Sequence, residues 1–69
     1  MTQKELLYLE DAVGHEKAIL KILEDNVNNV QDENLVSFLQ EELNNHNEIC
    51  ENLMNFLEGK ANEWWNFYE

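Results

Sequence analysis

The chain has 69 residues, a formal net charge of −11, no proline, 2 glycines and 1 cysteine. This length allows one small domain, which excludes a nucleotide-binding domain joined to a substrate domain. Two glycines are also too few for a glycine-rich phosphate loop. Because so acidic a surface repels phosphate backbones and anionic lipid heads, we expect neither nucleic acid nor a membrane as a partner.

The cysteine content and the start of the chain predict the compartment. Cys50 has no second cysteine to pair with, which is typical of a reducing, intracellular environment. No charged and then apolar leader opens the chain, and its apolar runs are only a few residues long. We therefore expect a protein that is neither exported by a signal peptide nor membrane-spanning.

Apolar residues in the first half recur at spacings of three and four, which predicts a helix over about 2–29. Two neighbouring rows together cover an arc of roughly 200°, wider than the seam of a dimeric coiled coil. The rows consist of Leu6, Leu9, Val13, Leu20, Leu23 and Val27, and of Tyr8, Ala12, Ile19 and Ile22.

The second half repeats this pattern and predicts a helix over about 33–58. Asp32 or Asn34 is expected to cap its first turn, and Gly59 to follow its last residue. A short link between two long helices produces an antiparallel hairpin. We therefore predict an all-α fold with residues 1–58 as a helical hairpin.

Residues 59–69 form a segment rich in aromatic side chains. Trp64, Trp65, Phe67 and Tyr68 expose more apolar surface than a solvated tail carries. Buried aromatics dominate interfaces, so one interpretation is a docking segment that contacts another subunit. The alternatives are that the segment folds back onto its own hairpin, or that it is an artificial extension of the chain.

Two helices with wide apolar arcs cannot bury both arcs against each other. A chain of this size seldom supplies a sufficient core unaided, and no disulfide compensates. The expected solution is a homodimer in which two hairpins form a four-helix bundle. An unpaired hairpin would instead display a groove for a partner helix, so a binding module stays open as an alternative.

Three polar residues interrupt the apolar arcs near the middle of both helices. Glu16 lies near the centre of the first arc, and Glu42 and His46 lie near the centre of the second. A hairpin that turns near residues 30 and 31 brings Glu16 level with residue 45. The sequence therefore predicts that all three side chains share one cross-section, which a dimer would contain twice.

The chemistry of this layer has three interpretations. Carboxylates and imidazoles suit a divalent metal such as iron, manganese or zinc, with His15 as an outer partner. A hydrogen-bonded His–Glu pair could instead fix the bundle register, or a rotated helix could expose all three side chains. Cys50 is interpreted as a small core residue, with a His/Cys ligand pair as the alternative because it lies one turn beyond His46. No nucleophile–base arrangement accompanies the only serine, Ser37, so no catalytic residue is assigned.

A glutamate in one helix and a Glu–His pair in the next resemble half of a ferritin-like di-metal bundle. In that superfamily the glutamate and histidine of the second helix stand three residues apart, whereas Glu42 and His46 stand four apart. The resemblance implies a small di-metal carboxylate protein, either a metal-binding protein or an oxidase-type enzyme, with Glu16 as a further ligand.

A set of short motifs over roughly residues 4–57 carries a narrower resemblance. The motifs are Lys4-Glu5-Leu6, Leu9-Glu10-Asp11, His15-Glu16, Val30-Gln31-Asp32 and His46. In these residues the chain is similar to the short, two-helix, Coat F-like spore coat proteins of endospore-forming bacteria, which belong to the ferritin-like superfamily. This resemblance implies a spore-associated structural protein that assembles with itself and with other spore coat proteins.

Overall fold

The structure is a computed structural model that describes the backbone of residues 1–68 and the side chains of residues 1–60. It consists of two helices, α1 (Gln3–Asn29) and α2 (Glu33–Tyr68), which pack against each other as a hairpin. The principal extents are 54 × 16 × 13 Å. The predicted all-helical hairpin is confirmed, and no strand occurs within residues 1–68.

Helix α1 begins with a capping box formed by Thr2 and Glu5. The Thr2 side-chain oxygen accepts from the Glu5 N–H at 3.1 Å, and the Thr2 N–H donates to the Glu5 carboxylate at 2.9 Å. The backbone hydrogen bond from Thr2, and then the side-chain one, hold the pKa of the Glu5 carboxyl below its usual value. These local bonds fix the start of α1 within one residue of the predicted position.

Helix α2 begins at Glu33 because Asp32 caps it. The Asp32 carboxylate accepts from the Leu35 N–H at 2.9 Å, and its backbone carbonyl accepts from the Val36 N–H at 2.9 Å. Of the two predicted capping residues, Asp32 is therefore the one used. Extended backbone at Val30 ends α1, so the link between the helices spans residues 30–32.

The far end of α2 differs from the prediction. The helix does not end at residue 58 but continues through Gly59 to Tyr68. A glycine that terminates a helix usually adopts positive φ, and no described glycine does so. The predicted end is therefore corrected, while the side chains of Trp64, Trp65, Phe67 and Tyr68 lie outside the described residues. Within residues 1–68, neither helix is both long and apolar enough to span a membrane.

The hairpin has almost no enclosed core. Among residues 1–60, only Val13 and Cys50 are buried. Cys50 packs as a core residue, and its sulfur lies 3.9 Å from the Met54 sulfur. Large apolar side chains such as Leu7, Tyr8 and Phe38 are more than half exposed. The interface between the two helices alone therefore leaves much apolar surface in contact with water.

We predict that Asp32→Ala lowers the free energy of unfolding by about 1 kcal/mol, because the Leu35 N–H loses its acceptor. Asp32→Asn is the matched control, since asparagine removes the same charge but retains a capping oxygen. Urea unfolding followed by circular dichroism at fixed protein concentration measures both. Equal losses for the two variants would show that charge rather than capping matters at this position.

Candidate functional site

The two helices bring the predicted polar residues together near mid-length. Glu16 of α1 faces His46 of α2, and the Glu16 Oε2 lies 2.7 Å from the His46 Nδ1. The sequence predicted that Glu16 would lie level with residue 45, which is one residue from its observed partner His46. Glu42 stands one turn before His46, with its Oε2 3.7 Å from the His46 Nε2. The convergence predicted from the sequence is therefore observed within a single hairpin.

The short contact determines the orientation of the His46 ring. An ionised carboxylate can only accept hydrogen bonds, so the His46 Nδ1 carries a hydrogen and donates it to Glu16. In the neutral ring, the Nε2 then keeps its lone pair and faces the Glu42 carboxylate. The 3.7 Å separation is too long for a hydrogen bond. Glu16 thus selects the tautomer, and Glu42 is the less firmly held carboxylate.

We call this layer the Glu16–His46–Glu42 cluster. Its three side chains are all partly buried, to different degrees. The Glu16 side chain is 16% exposed, His46 is 24% exposed and Glu42 is 37% exposed. This partial burial excludes the interpretation in which a rotated helix fully exposes all three side chains. Glu16 and His46 are held at the seam between the helices, and Glu42 reaches from the seam toward solvent.

The remaining candidate ligands lie outside this cluster. His15 is exposed, and the hydrogen bond that orients His46 comes from its neighbour Glu16. Cys50 is buried against Met54 rather than turned toward His46. Within the part of the chain whose side chains are described, no group of three or more His, Cys, Asp or Glu side chains is arranged to hold a metal ion.

One side of the hairpin presents large apolar side chains, which we call the exposed apolar face. Each of them is between 43% and 61% exposed. At about 100° per residue, the α1 members and the α2 members project to the same side of the seam. Glu42 projects into this face. The face consists of Tyr8 and Ile22 on α1 and of Leu35, Phe38, Ile49 and Phe56 on α2.

Two lysines lie at the open end of this face. The Lys4 ammonium lies 5.9 Å from the centre of the Tyr8 ring, and the Lys60 ammonium lies 5.5 Å from the centre of the Phe56 ring. Both distances are within the range of cation–π attraction. The sequence periodicity placed these aromatics in the apolar arcs. It did not show that the aromatics of the two helices project to the same side as Glu42, because that depends on how the helices rotate about the seam.

The opposite side of the hairpin also carries apolar side chains, and Met54 there is 43% exposed. The two buried residues line an open groove of about 610 Å³ on this side. Polar side chains border the groove at both rims. The lining includes Val13, Lys17, Leu20, Cys50, Met54 and Leu57.

Comparison with known proteins gives no relative from which a function could be transferred. No protein-family model, no curated protein and no solved structure matches this chain. The function is therefore argued from the side chains themselves, together with the resemblance carried by the short motifs.

We predict that Glu16→Gln and His46→Gln each lower the free energy of unfolding by about 1–2 kcal/mol, because each disrupts a charge-assisted hydrogen bond. The double variant should lose less than the sum of the two, since both substitutions weaken the same contact: Glu16→Gln leaves only an uncharged acceptor, and His46→Gln removes the imidazole. Urea unfolding at fixed protein concentration measures this cycle. The exposed Glu10 supplies the control, because Glu10→Gln removes the same charge on α1 and should change stability by less than about 0.5 kcal/mol. Strictly additive losses would contradict a direct Glu16–His46 interaction.

Proposed function

We propose that this chain is a self-assembling structural protein of spore-coat type, in which two hairpins pair into a ferritin-like four-helix bundle. The observation that carries the proposal is the exposed apolar face, displayed by a hairpin with two buried residues among residues 1–60. Two packed helices bury apolar side chains along one contact seam. The apolar arcs of α1 and α2 are wider than that seam covers, so a second packing surface is needed to bury the remainder.

The area of the exposed apolar face favours association. Six large side chains at 43–61% exposure leave on the order of 600 Å² of apolar surface uncovered. A stable interface buries about 800 Å² on each partner, and a typical monomer rarely leaves so large an apolar patch exposed. With the polar rim included, the face is large enough for a specific homodimer.

The distribution of charge favours the same side of the hairpin. The chain carries 15 acidic residues, so most ways of bringing two copies together place like charges against each other. Helical projection places few of them toward the exposed apolar face: Glu42 lies within it, and Glu5 and Glu16 lie between its α1 members and the seam. Lys4 and Lys60 lie at its open end. This is the surface along which two copies approach with the least repulsion.

The spore-coat assignment rests on the resemblance of the short motifs over residues 4–57 to Coat F-like proteins. Under this proposal, other spore coat proteins are further partners and the spore is the location. The aromatic segment supplies lateral contacts between bundles through Trp64, Trp65, Phe67 and Tyr68. Buried aromatic anchors of this kind carry much of the energy in protein interfaces.

A second candidate is a small ferritin-like di-metal carboxylate protein that binds metal or acts as an oxidase. The observation that favours it is the convergence of Glu16, His46 and Glu42 across the hairpin. This candidate requires all three side chains to bind metal directly and requires two ions in each four-helix bundle. The metal content of the assembled protein therefore separates it from a purely structural role.

We predict that Phe38→Glu converts the dimer to a monomer at micromolar concentration, because the substitution places a charge inside the exposed apolar face. Leu7→Glu is the matched control, since both side chains are 57% exposed but Leu7 projects away from this face. Sedimentation equilibrium measures the mass of each variant. A stably folded, monomeric wild-type hairpin would overturn the four-helix-bundle proposal.

We predict that replacing Trp64 and Trp65 together by serine leaves the dimer intact and reduces the mass of larger assemblies. The reason is that these residues lie beyond the hairpin over which the exposed apolar face extends. Light scattering on the full-length chain measures this. Larger assemblies that persist unchanged would show that the aromatic segment is not the lateral contact.

A further inference from the structure

We propose that two copies of this chain build one tetrahedral site for a divalent transition metal, zinc being the best fit. Each copy contributes the His46 Nε2 and the Glu42 carboxylate, and Glu16 orients the histidine without touching the metal. The inference rests on the self-association proposed above and adds the ion, the ligand atoms and the role of Glu16.

The Glu16–His46 hydrogen bond is the arrangement that prepares a histidine for metal binding. Histidine ligands in proteins usually donate their second ring N–H to a carboxylate or carbonyl, which fixes the tautomer and the ring orientation. Here the Nδ1 donates to Glu16 at 2.7 Å. The Nε2 lone pair is then the free ligand position, and it faces Glu42.

The distance between the two ligand atoms fits a shared ion. Two ligands at about 2.0–2.1 Å from a tetrahedral zinc lie about 3.3 Å apart. The His46 Nε2 and the Glu42 Oε2 are 3.7 Å apart on adjacent turns of α2. A small rotation of the half-exposed Glu42 side chain closes this difference. The separation is too long for a direct hydrogen bond and close to that of two ligands on one ion.

A single hairpin offers half of such a site. Within residues 1–60 it holds no group of three metal-capable side chains, whereas a structural zinc takes four ligands. Glu42 projects into the exposed apolar face, seven residues from its Leu35 end and fourteen from its Phe56 end along α2. A two-fold axis through this point places one His46–Glu42 pair against the other, which completes a set of two imidazoles and two carboxylates.

The charge balance also favours an ion at this position. When the exposed apolar faces of two copies meet, the two Glu42 carboxylates approach each other in an environment with little water, which is costly without a counter-charge. One divalent cation balances the two Glu42 carboxylates, while each Glu16 carboxylate keeps the Nδ1 hydrogen of a histidine as its partner. Metal binding and association are therefore coupled, and each strengthens the other.

This coordination differs from that implied by the ferritin-like resemblance. The resemblance makes Glu16 a metal ligand in a two-ion centre, whereas the observed geometry engages Glu16 with the His46 Nδ1. The single-ion site uses the i, i+4 spacing of Glu42 and His46 as it stands. The difference between the two arrangements is measurable as metal stoichiometry.

The test is a titration of the full-length chain, stripped of metal, with Zn²⁺ followed by calorimetry and with Co²⁺ followed by its visible absorption. The expected result is one ion per two chains, a tetrahedral Co²⁺ spectrum, and a tighter dimer in the presence of metal. His46→Gln and Glu42→Gln should each abolish the spectrum. Glu41→Gln is the matched control, because it removes the same charge one residue away on an exposed position and should bind as the wild type does.

The role of Glu16 has its own variants. Glu16→Ala should weaken Zn²⁺ binding about 10–100-fold while the tetrahedral Co²⁺ spectrum survives at saturation, as expected for a positioning residue. Glu16→Gln, which keeps an acceptor for the Nδ1 hydrogen, should recover most of that loss. Loss of the spectrum in Glu16→Ala at full helicity would make Glu16 a ligand and would overturn this assignment.

The failure of this inference is distinguishable from the failure of the proposed function. A dimer that forms equally well with and without metal, and that binds no Zn²⁺, overturns the metal site and leaves the bundle standing. A chain that stays monomeric under all conditions overturns both. Binding of one ion per monomer, or of two ions per dimer, overturns the shared single-ion site, and two ions per dimer would favour the di-metal candidate.

Discussion

Two helices in contact share one seam, and each helix of this chain carries an apolar arc wider than that seam can cover. The consequence is visible in the burial pattern, since Val13 and Cys50 are the only buried residues among residues 1–60. Folding costs conformational entropy for every residue that becomes ordered. The burial of so small a core offsets little of that cost. The stability of the hairpin is therefore tied to whatever covers its exposed apolar face.

The Glu16–His46 contact sets the register in which the two helices meet. Apolar side chains on two helices can slide past each other at modest cost, whereas a hydrogen bond of 2.7 Å between a carboxylate and an imidazole tolerates little displacement. A shift by one turn would bring Glu16 level with Glu42 or Cys50 in place of His46, so this hydrogen bond would be lost. The polar layer therefore defines the alignment of the hairpin, and the same alignment defines where Glu42 emerges on the exposed apolar face.

Local sequence predicted the helix starts and the approximate partner of Glu16, because caps and a short link act over a few residues. Thr2 and Asp32 provide the two caps. The end of α2 was not predictable in this way, since a glycine can either terminate a helix or continue it, and Gly59 continues it. Two features depend on how each helix is rotated about the seam, and apolar periodicity does not define that rotation. They are the position of Glu42 within the exposed apolar face and the contact of Glu16 with the His46 Nδ1 rather than the Nε2.

The acidity of this chain opposes its proposed self-association, and the acidic and exposed apolar side chains lie mostly on different sides of the hairpin. With a net charge of −11, two copies repel at long range. Under the proposed self-association, a face in which six large apolar side chains outnumber the acidic ones reduces this repulsion. Within this face, Glu42 lies against a histidine nitrogen whose ring is already oriented by a second carboxylate. A carboxylate inside an apolar contact disfavours every pairing that leaves it without a partner. In the proposed dimer, the layer therefore adds specificity for the pairings in which Glu42 has a partner, in addition to any stability that it supplies.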